Sequence, residues 1–271
     1  MSKIALIAGK GKLPLIWAEQ ACKKGADLIA FPVYKNSSAK LQEVSQKVIP
    51  VNISRLGELI ELFKQKQIQK VIMLGKVEKK HIYSDFKPDL EMQKFLANLS
   101  NLGDDKILQG LIAYFENLGF EVLPQSTFLE DLISKPGLLT EDNPSAELIA
   151  DMEYGLKMAG EIGALGIGQT VLVKQKSVLA VEAVEGTDLA IKRAGELAGE
   201  GAVMAKVMRA KQDFRIDIPT VGLKTIDCLQ KIGAVGLVLE AEKTFILDGG
   251  DFVKEAKKAG ITVLARSIEE N

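Results

Sequence analysis

Short apolar runs alternate with longer segments of helical periodicity along the first half of the chain. Continuous apolar runs are typical of strands that are buried on both faces of a sheet. Such runs lie at 4–8, 28–33 and 71–74, and a further strand is predicted at 121–123. Segments with helical spacing lie around them, at 15–23, 54–64, 88–99 and 104–118. Strands that alternate with helices favour an α/β domain with a parallel sheet and helices on both faces.

The second half of the chain has a different pattern. Apolar runs at 168–173 and 178–183 are separated by a short turn and predict a hairpin, which makes the second sheet mixed. The other predicted elements are helices at 146–162, 189–198, 223–231 and 252–258, and strands at 201–207, 235–239, 244–247 and 262–265. Because turn formers are concentrated before residue 146, we expect three parts. These are an amino-terminal domain over 1–133, a linker over 134–143 and a mixed α/β domain over 144–271 that carries the catalytic motif.

Residues 212–222 combine alternating charge with a turn signal. As a strand, this segment would place Asp213, Arg215 and Asp217 on one face, with the two carboxylates about 13 Å apart. One interpretation is a phosphate-facing site, in which the Arg fork binds a phosphate oxygen and an Asp binds Mg²⁺ or a water. The other is a solvated strand face that carries alternating charges. Both interpretations stay open on this segment alone.

Two loops at the carboxyl ends of predicted strands carry glycine and lysine. The first contains Gly9, Lys10, Gly11, Lys12 and Pro14, and the second contains Gly75 and Lys76. Ligands of open α/β sheets bind at these ends, and a helix start with nearby ammonium groups suits an anion. The first loop lacks the third glycine and the acidic partner of a dinucleotide fingerprint, and it is not a Walker A loop. A tight turn with solvated lysines explains the same residues equally well.

Composition excludes several classes of function. A formal net charge of −1 over 271 residues gives no nucleic-acid footprint. No apolar run approaches the ~20 residues of a membrane span and no signal peptide is visible, so we expect a cytoplasmic protein. His81 is the single histidine, and Cys22 and Cys228 lie far apart, so these residues do not supply a zinc site. We expect the chemistry to depend on carboxylates, Lys, Arg, amides and Mg²⁺.

Further motifs extend over nearly the whole chain. They lie at 7–14, 73–77, 104–108, 115–119, 168–174, 178–188 and 212–222. In this order and spacing they resemble the LpxI-type UDP-2,3-diacylglucosamine pyrophosphatases of lipid A synthesis. The resemblance implies a Rossmann-like amino-terminal domain and a mixed α/β carboxyl-terminal domain, with the substrate held between them.

The resemblance also implies an activity, namely Mg²⁺-dependent hydrolysis of the lipid-linked sugar nucleotide. The expected products are UMP and 2,3-diacylglucosamine 1-phosphate. The catalytic aspartate of the family maps to Asp217, which is also the expected metal ligand. Asp213 is its nearest competitor, and Arg215 completes the predicted catalytic group.

Substrate-binding residues are predicted in the same motifs. In addition to the two glycine and lysine loops, they are Gln169, Glu185, Gly186, Thr187, Asp188, Lys206, Pro219, Thr220 and Gly222. We also expect a homodimer, on the general preference of soluble oligomers for two-fold symmetry, and peripheral association with the inner membrane. Two alternatives stay open, which are a hydrolase of another nucleotide-diphosphate substrate and a binding protein that holds a sugar nucleotide or lipid without cleaving it.

Overall fold

A computed structural model describes residues 2–45, 47–77, 87–99, 103–140, 143–209 and 213–268. His81 lies outside these ranges. The chain divides into two compact units, which we call the amino-terminal unit (Met1–Glu130 with Asp213–Asp217) and the carboxyl-terminal unit (Asp131–Gln212 with Ile218–Asn271). A short segment from the second half of the sequence is therefore part of the amino-terminal unit.

A four-stranded parallel sheet forms the centre of the amino-terminal unit. Its strands are β1 (Ile4–Ala8), β2 (Leu28–Pro32), β3 (Lys70–Leu74) and β4 (Glu121–Val122), in the order β2-β1-β3-β4. The helices of the unit are α1 (Leu13–Lys23), α2 (Lys35–Gln42), α3 (Leu56–Lys66), α4 (Leu90–Ala97) and α5 (Asp104–Asn117). The parallel sheet predicted from the apolar runs is confirmed. Helix α2 was not predicted, because its polar sequence carries no apolar stripe.

Aromatic rings form the core of the amino-terminal unit. The ring centroid of Phe63 in α3 is 5.0 Å from that of Phe31, 6.0 Å from that of Phe115 and 5.7 Å from that of Phe120. Such tilted and edge-on contacts add to the burial of these large side chains. Ile216 is buried in the same cluster, so the inserted segment contributes to this core.

A six-stranded mixed sheet forms the centre of the carboxyl-terminal unit. Its strands are β5 (Gly137–Leu138), β6 (Thr170–Lys174), β7 (Ser177–Val181), β8 (Val203–Lys206), β10 (Gly236–Glu240) and β12 (Thr262–Arg266). Their order is β5-β12-β10-β8-β6-β7, with β8, β10 and β12 parallel to one another. Strands β9 (Thr220–Val221) and β11 (Phe245–Ile246) form a separate parallel pair. The predicted hairpin is confirmed as β6 and β7, and the mixed sheet with it.

Helices cover both faces of this sheet. They are α6 (Ala146–Ala164), α7 (Thr187–Ala198), α8 (Leu223–Lys231) and α9 (Gly249–Lys258). Alternate residues of β8 face opposite sides, because Val203 and Ala205 pack with α6 while Met204 packs with the other three helices. In the described part of the chain, each helix is too short or too polar to cross a membrane.

The strand predicted at 213–218 is wrong. The backbone N–H of Ile216 donates to the carbonyl of Asp213 at 2.8 Å, and the N–H of Arg215 donates to Oδ1 of Asp213 at 2.9 Å. These bonds close a turn, and Asp217 follows it with a φ of 45°. An aspartate that accepts from the backbone two residues later offers the chain an alternative to a strand ladder. The side chain of Asp213 therefore overrides the alternating pattern.

Candidate functional site

The two predicted loops of the amino-terminal unit lie side by side. They follow the adjacent strands β1 and β3, and the N–H of Gly9 donates to the carbonyl of Leu74 at 2.8 Å. Lys10 and Lys76 exchange both of their backbone hydrogen bonds, each at 2.9 Å. The carboxyl edge of the parallel sheet thus continues as a short paired segment that carries two lysines.

Close backbone approach explains the glycines of these loops. A Cβ at Gly9 would lie 2.7 Å from the carbonyl oxygen of Lys76, and a Cβ at Gly75 would lie 2.6 Å from that of Lys10. Gly75 also has a φ of 85°, and Gly11 has a φ of 108°. Both values lie in the region where a side chain is strained. The turn geometry therefore accounts for the glycines by itself.

The lysines of the first loop are exposed. Lys12 is the N-cap residue of α1, and the buried Pro14 lies in the first turn of this helix. The Nζ atom of Lys10 lies 4.8 Å from the ring centroid of Tyr34, a cation–π distance. The two ammonium groups near a helix start could attract an anion. Their role in substrate binding stays a prediction.

The segment 213–217 is held by an ionic network within the amino-terminal unit. Nε of Arg215 lies 2.9 Å from each carboxylate oxygen of Asp213, and its Nη2 lies 2.5 Å from Oδ2. A second carboxylate, that of Glu116 in α5, pairs with Nη1 of the same guanidinium. Hydrogen bonds from Arg215 lower the pKa of Asp213. The same hydrogen bonds with Asp213 raise the pKa of Arg215. The fork of Arg215 is therefore used by two carboxylates of the protein.

Gln125 connects this segment to the sheet. Its buried side-chain amide donates to the carbonyl of Met73 in β3 at 2.9 Å, and its backbone N–H donates to the carbonyl of Phe214 at 2.8 Å. Met73 is two residues before Gly75, so the turn lies near the carboxyl end of β3. Ile216 anchors the turn in the core, and the next residue, Asp217, is exposed. The structure thus brings Asp213, Arg215 and Asp217 to the edge of the sheet where the two loops lie.

The predicted residues of the carboxyl-terminal unit form their own group around Lys206. This lysine ends β8 and is buried. Its Nζ donates to Oγ1 of Thr170 at 3.0 Å and to Oγ1 of Thr187 at 3.1 Å. Oε2 of Glu182 lies 3.9 Å from the same ammonium group, and Oε1 accepts the Thr187 hydroxyl at 2.7 Å. A buried charge is thereby matched by an opposite charge and two hydroxyls.

Other predicted residues surround the start of α7. Gly186 is its N-cap residue with a φ of 86°. The carboxylate of Glu185 accepts from Nη2 of Arg193 at 2.8 Å. Asp188 forms a 2.5 Å ion pair with Lys224 of α8, so its carboxylate is used between two helices.

The remaining predicted residues of this unit lie at the starts of β6, β9 and α8. Gln169 is buried just before β6, and its carbonyl accepts from the N–H of Val207 at 2.9 Å. Pro219 and Thr220 lie at the start of β9, and Gly222 is the N-cap residue of α8. These four residues therefore lie at or directly before the starts of two strands and one helix of the carboxyl-terminal unit.

The described residues contain no group of three or more His, Cys, Asp or Glu side chains that could hold a metal ion without other ligands. Asp213 is engaged by Arg215, and Asp217 is an exposed residue at the end of the same turn. Mg²⁺ is usually held in proteins by one or two carboxylates together with substrate phosphates and waters. The donor set at Asp217 fits this shared mode of binding.

Sequence reasoning missed four residues that the structure places in these networks. Glu116 contacts Arg215, Thr170 and Glu182 contact Lys206, and Gln125 contacts Met73 beside the second loop. The two residues of each pair lie 24 to 99 positions apart. Glu182 had one available signal, because it is a charged residue directly after an apolar strand. Glu116 lies in the motif at 115–119, but nothing there indicates its pair with Arg215, and nothing in the local sequence of Gln125 distinguishes it from a surface residue.

Comparison with known proteins covers both halves of the chain. The family model described as the LpxI N-terminal domain matches residues 3–132, and that of the LpxI C-terminal domain matches residues 135–264. The chain is 32% identical over 284 residues to a protein of Caulobacter vibrioides named UDP-2,3-diacylglucosamine pyrophosphatase LpxI. This match covers 100% of the chain and 99% of the relative. The chain therefore belongs to the LpxI family.

Proposed function

We propose that this protein is an enzyme of lipid A synthesis that hydrolyses UDP-2,3-diacylglucosamine to UMP and 2,3-diacylglucosamine 1-phosphate. The observation that carries the proposal is the full-length match to a relative named for action on this substrate. The geometry supports it, because a hydrogen-bonded turn places the exposed residue Asp217 at the sheet edge that also carries two lysine-bearing loops. Hydrolysis breaks one P–O bond of the anhydride and places the oxygen of water on one of the two phosphates.

The residues of the amino-terminal unit divide the chemical tasks. Asp217 would orient the attacking water and accept its proton, as a general base does. When bound, Mg²⁺ would be held by Asp217 and the diphosphate oxygens and would offset charge on the departing phosphate. Lys10 and Lys12 would bind phosphate oxygens, since ammonium groups favour developing negative charge. Arg215 shapes the turn that carries Asp217.

The residues of the carboxyl-terminal unit supply a second set of proposed contacts. Lys206 and the first turn of α7 would bind an anionic group of the substrate. The hydroxyl of Thr187 and the buried amide of Gln169 add polar groups nearby. In this proposal they bind and orient the substrate.

The test is incubation of the purified protein with UDP-2,3-diacylglucosamine and Mg²⁺, with UMP as the measured product. Asp217→Asn should lower kcat at least about 100-fold, the usual contribution of a general base. Asparagine tolerates the positive φ of this position, so the turn should keep its shape. Asp227→Asn, an exposed aspartate paired with Lys231, is the matched control and should keep normal turnover.

Each alternative function gives a different result in the same assay. A hydrolase of another nucleotide-diphosphate substrate would release the nucleoside monophosphate from that compound and not from UDP-2,3-diacylglucosamine. A binding protein would retain the sugar nucleotide with no turnover in Mg²⁺. Normal turnover by Asp217→Asn would remove this residue from the mechanism.

A further inference from the structure

A buried lysine of the carboxyl-terminal unit is held in one position by its neighbours. The side chain of Lys206 is 8% exposed, and its Nζ donates to the hydroxyls of Thr170 and Thr187. Thr170 pairs directly with Lys206 across β6 and β8, while Thr187 begins α7. The ammonium group is therefore fixed between a strand and a helix start.

Glu182 sets the direction of this hydrogen-bond network. The hydroxyl of Thr187 gives its proton to Oε1 of Glu182 at 2.7 Å. Its oxygen is then left to accept from Lys206, so the bonds run from the ammonium through the hydroxyl to the carboxylate. Oε2 of Glu182 is buried, lies 3.9 Å from Nζ, and accepts no hydrogen bond among the described residues. The carboxylate thus acts on Lys206 both through Thr187 and through its charge.

Without this carboxylate, the position of the lysine would be electrostatically unfavourable. The amino terminus of a helix carries a partial positive charge and disfavours cations. Burial also disfavours the charged form of a lysine. Glu182, with its side chain 15% exposed, supplies the opposite charge next to the ammonium. An ammonium group held in this position at a helix start is suited to contact with an anion.

We propose that Glu182 is a positioning residue, which fixes the ammonium of Lys206 for contact with an anionic group of the substrate. The proposal rests on the proposed function, in which Lys206 binds substrate. Glu182 itself makes no contact with the reacting atoms. It acts through Lys206 and Thr187, so its effect on turnover should depend on the presence of the lysine.

A double-mutant cycle on kcat/KM for UDP-2,3-diacylglucosamine tests this dependence. Glu182→Gln should lower kcat/KM about 10-fold, Lys206→Met should lower it further, and the double variant should equal Lys206→Met. Glu196→Gln is the matched control, because Glu196 forms an exposed pair with Lys192 on the same helix. The control should keep the wild-type value. Multiplicative losses in the double variant would overturn the proposal, since Glu182 would then act independently of Lys206.

The double variant also separates positioning from folding. Removing both charges of the Glu182–Lys206 pair together leaves neither of these two ions buried alone, so Glu182→Gln with Lys206→Met should have a higher Tm than either single variant while kcat/KM stays low. If a single variant unfolds, its loss of kcat/KM does not test the positioning role. The kcat/KM of the folded double variant is then the measurement that tests it. Full recovery of kcat/KM in a stable double variant would overturn the role of the lysine and of Glu182.

If the wild type fails to release UMP, that result contradicts the proposed function alone. A binding measurement still tests the positioning role of Glu182 in that case. Inorganic pyrophosphate is the probe, and the increase in Tm that it causes is the measurement. The increase should be largest for the wild type and the Glu196→Gln control, smaller for Glu182→Gln and smallest for Lys206→Met. The same increase in all four proteins, or none in any, would overturn the positioning role.

Discussion

At the scale of single residues, Arg215 is engaged by carboxylates of the protein itself. Its guanidinium pairs with Asp213 and Glu116, and the turn that it closes ends at Asp217. A planar fork is well suited to such bidentate pairing with carboxylates. These contacts support the proposal that Arg215 shapes the turn and that Asp217 takes part in the chemistry.

The Asp213–Arg215 pair predicts a pH dependence of stability. The pKa of Asp213 is lower in the folded protein, mainly because Arg215 donates hydrogen bonds to its carboxylate. The stabilisation is then present above the ordinary range of an aspartate, about 3.9, and is lost as the pH falls through the folded pKa. Asp213→Asn should cost about 1 kcal/mol of unfolding free energy at pH 7, since the pair is partly solvated.

Urea denaturation of the wild type and Asp213→Asn at several pH values measures this difference. The difference should be constant between pH 5 and pH 7 and should shrink below about pH 4, where the unfolded aspartate gains a proton. Asp227→Asn serves as the control for an exposed aspartate in a surface pair. A difference that grows towards acid pH would contradict the account.

At the scale of elements, the ends of β1 and β3 depend on one close backbone contact. Gly75 combines a φ of 85° with a would-be Cβ that lies 2.6 Å from the carbonyl of Lys10. Gly119 has a nearly equal φ of 88°, but among the described residues other than its chain neighbours no atom lies within 4 Å of its would-be Cβ. The two glycines therefore have nearly the same positive φ, but only at Gly75 would an added Cβ clash with a neighbouring carbonyl oxygen.

Gly75→Ala should therefore cost more stability than Gly119→Ala. Both changes should cost about 1 kcal/mol for the positive φ, and the clash with the loop after β1 should add about 1–3 kcal/mol at Gly75. Chemical denaturation gives both values. Equal losses would show that the two loops can separate without cost.

At the scale of the whole molecule, the chain leaves the carboxyl-terminal unit at residue 213 and returns to it at residue 218. Ile216 is 2% exposed and packs with the aromatic core of the other unit. The candidate carboxylate thus comes from the second half of the sequence but is carried by the amino-terminal unit. Burial of one side chain ties the position of Asp217 to the stability of that core.

Ile216→Ala should lower the stability of the amino-terminal unit by about 2–5 kcal/mol, the usual cost of a large-to-small core change. Hydrogen exchange should become faster in β1 and β3, and stay unchanged in β10 and β12. Ile226→Ala is the matched control, because Ile226 is also 2% exposed but lies in the core of the carboxyl-terminal unit. Faster exchange in β10 and β12 alone would contradict the assignment of Ile216.

The sequence alone determined the classes and most positions of the elements. The apolar run at 4–8 coincides with β1, the helical segment at 223–231 coincides with α8, and the hairpin is formed by β6 and β7. These elements follow from a repeat of two or 3.6 residues, which is visible within a short window of sequence. The glycine and lysine loops were also found in this way, because strand ends can be recognised locally.

Tertiary structure alone decided which side chains the candidate residues contact. The alternation at 213–218 predicts a strand, yet the bonds of Asp213 and Arg215, with Ile216 in the core, produce a turn. The link from Glu182 to Lys206 is likewise invisible in the sequence. Contacts between residues far apart in the chain leave no periodic signal, because they depend on which side chains the packed core brings together.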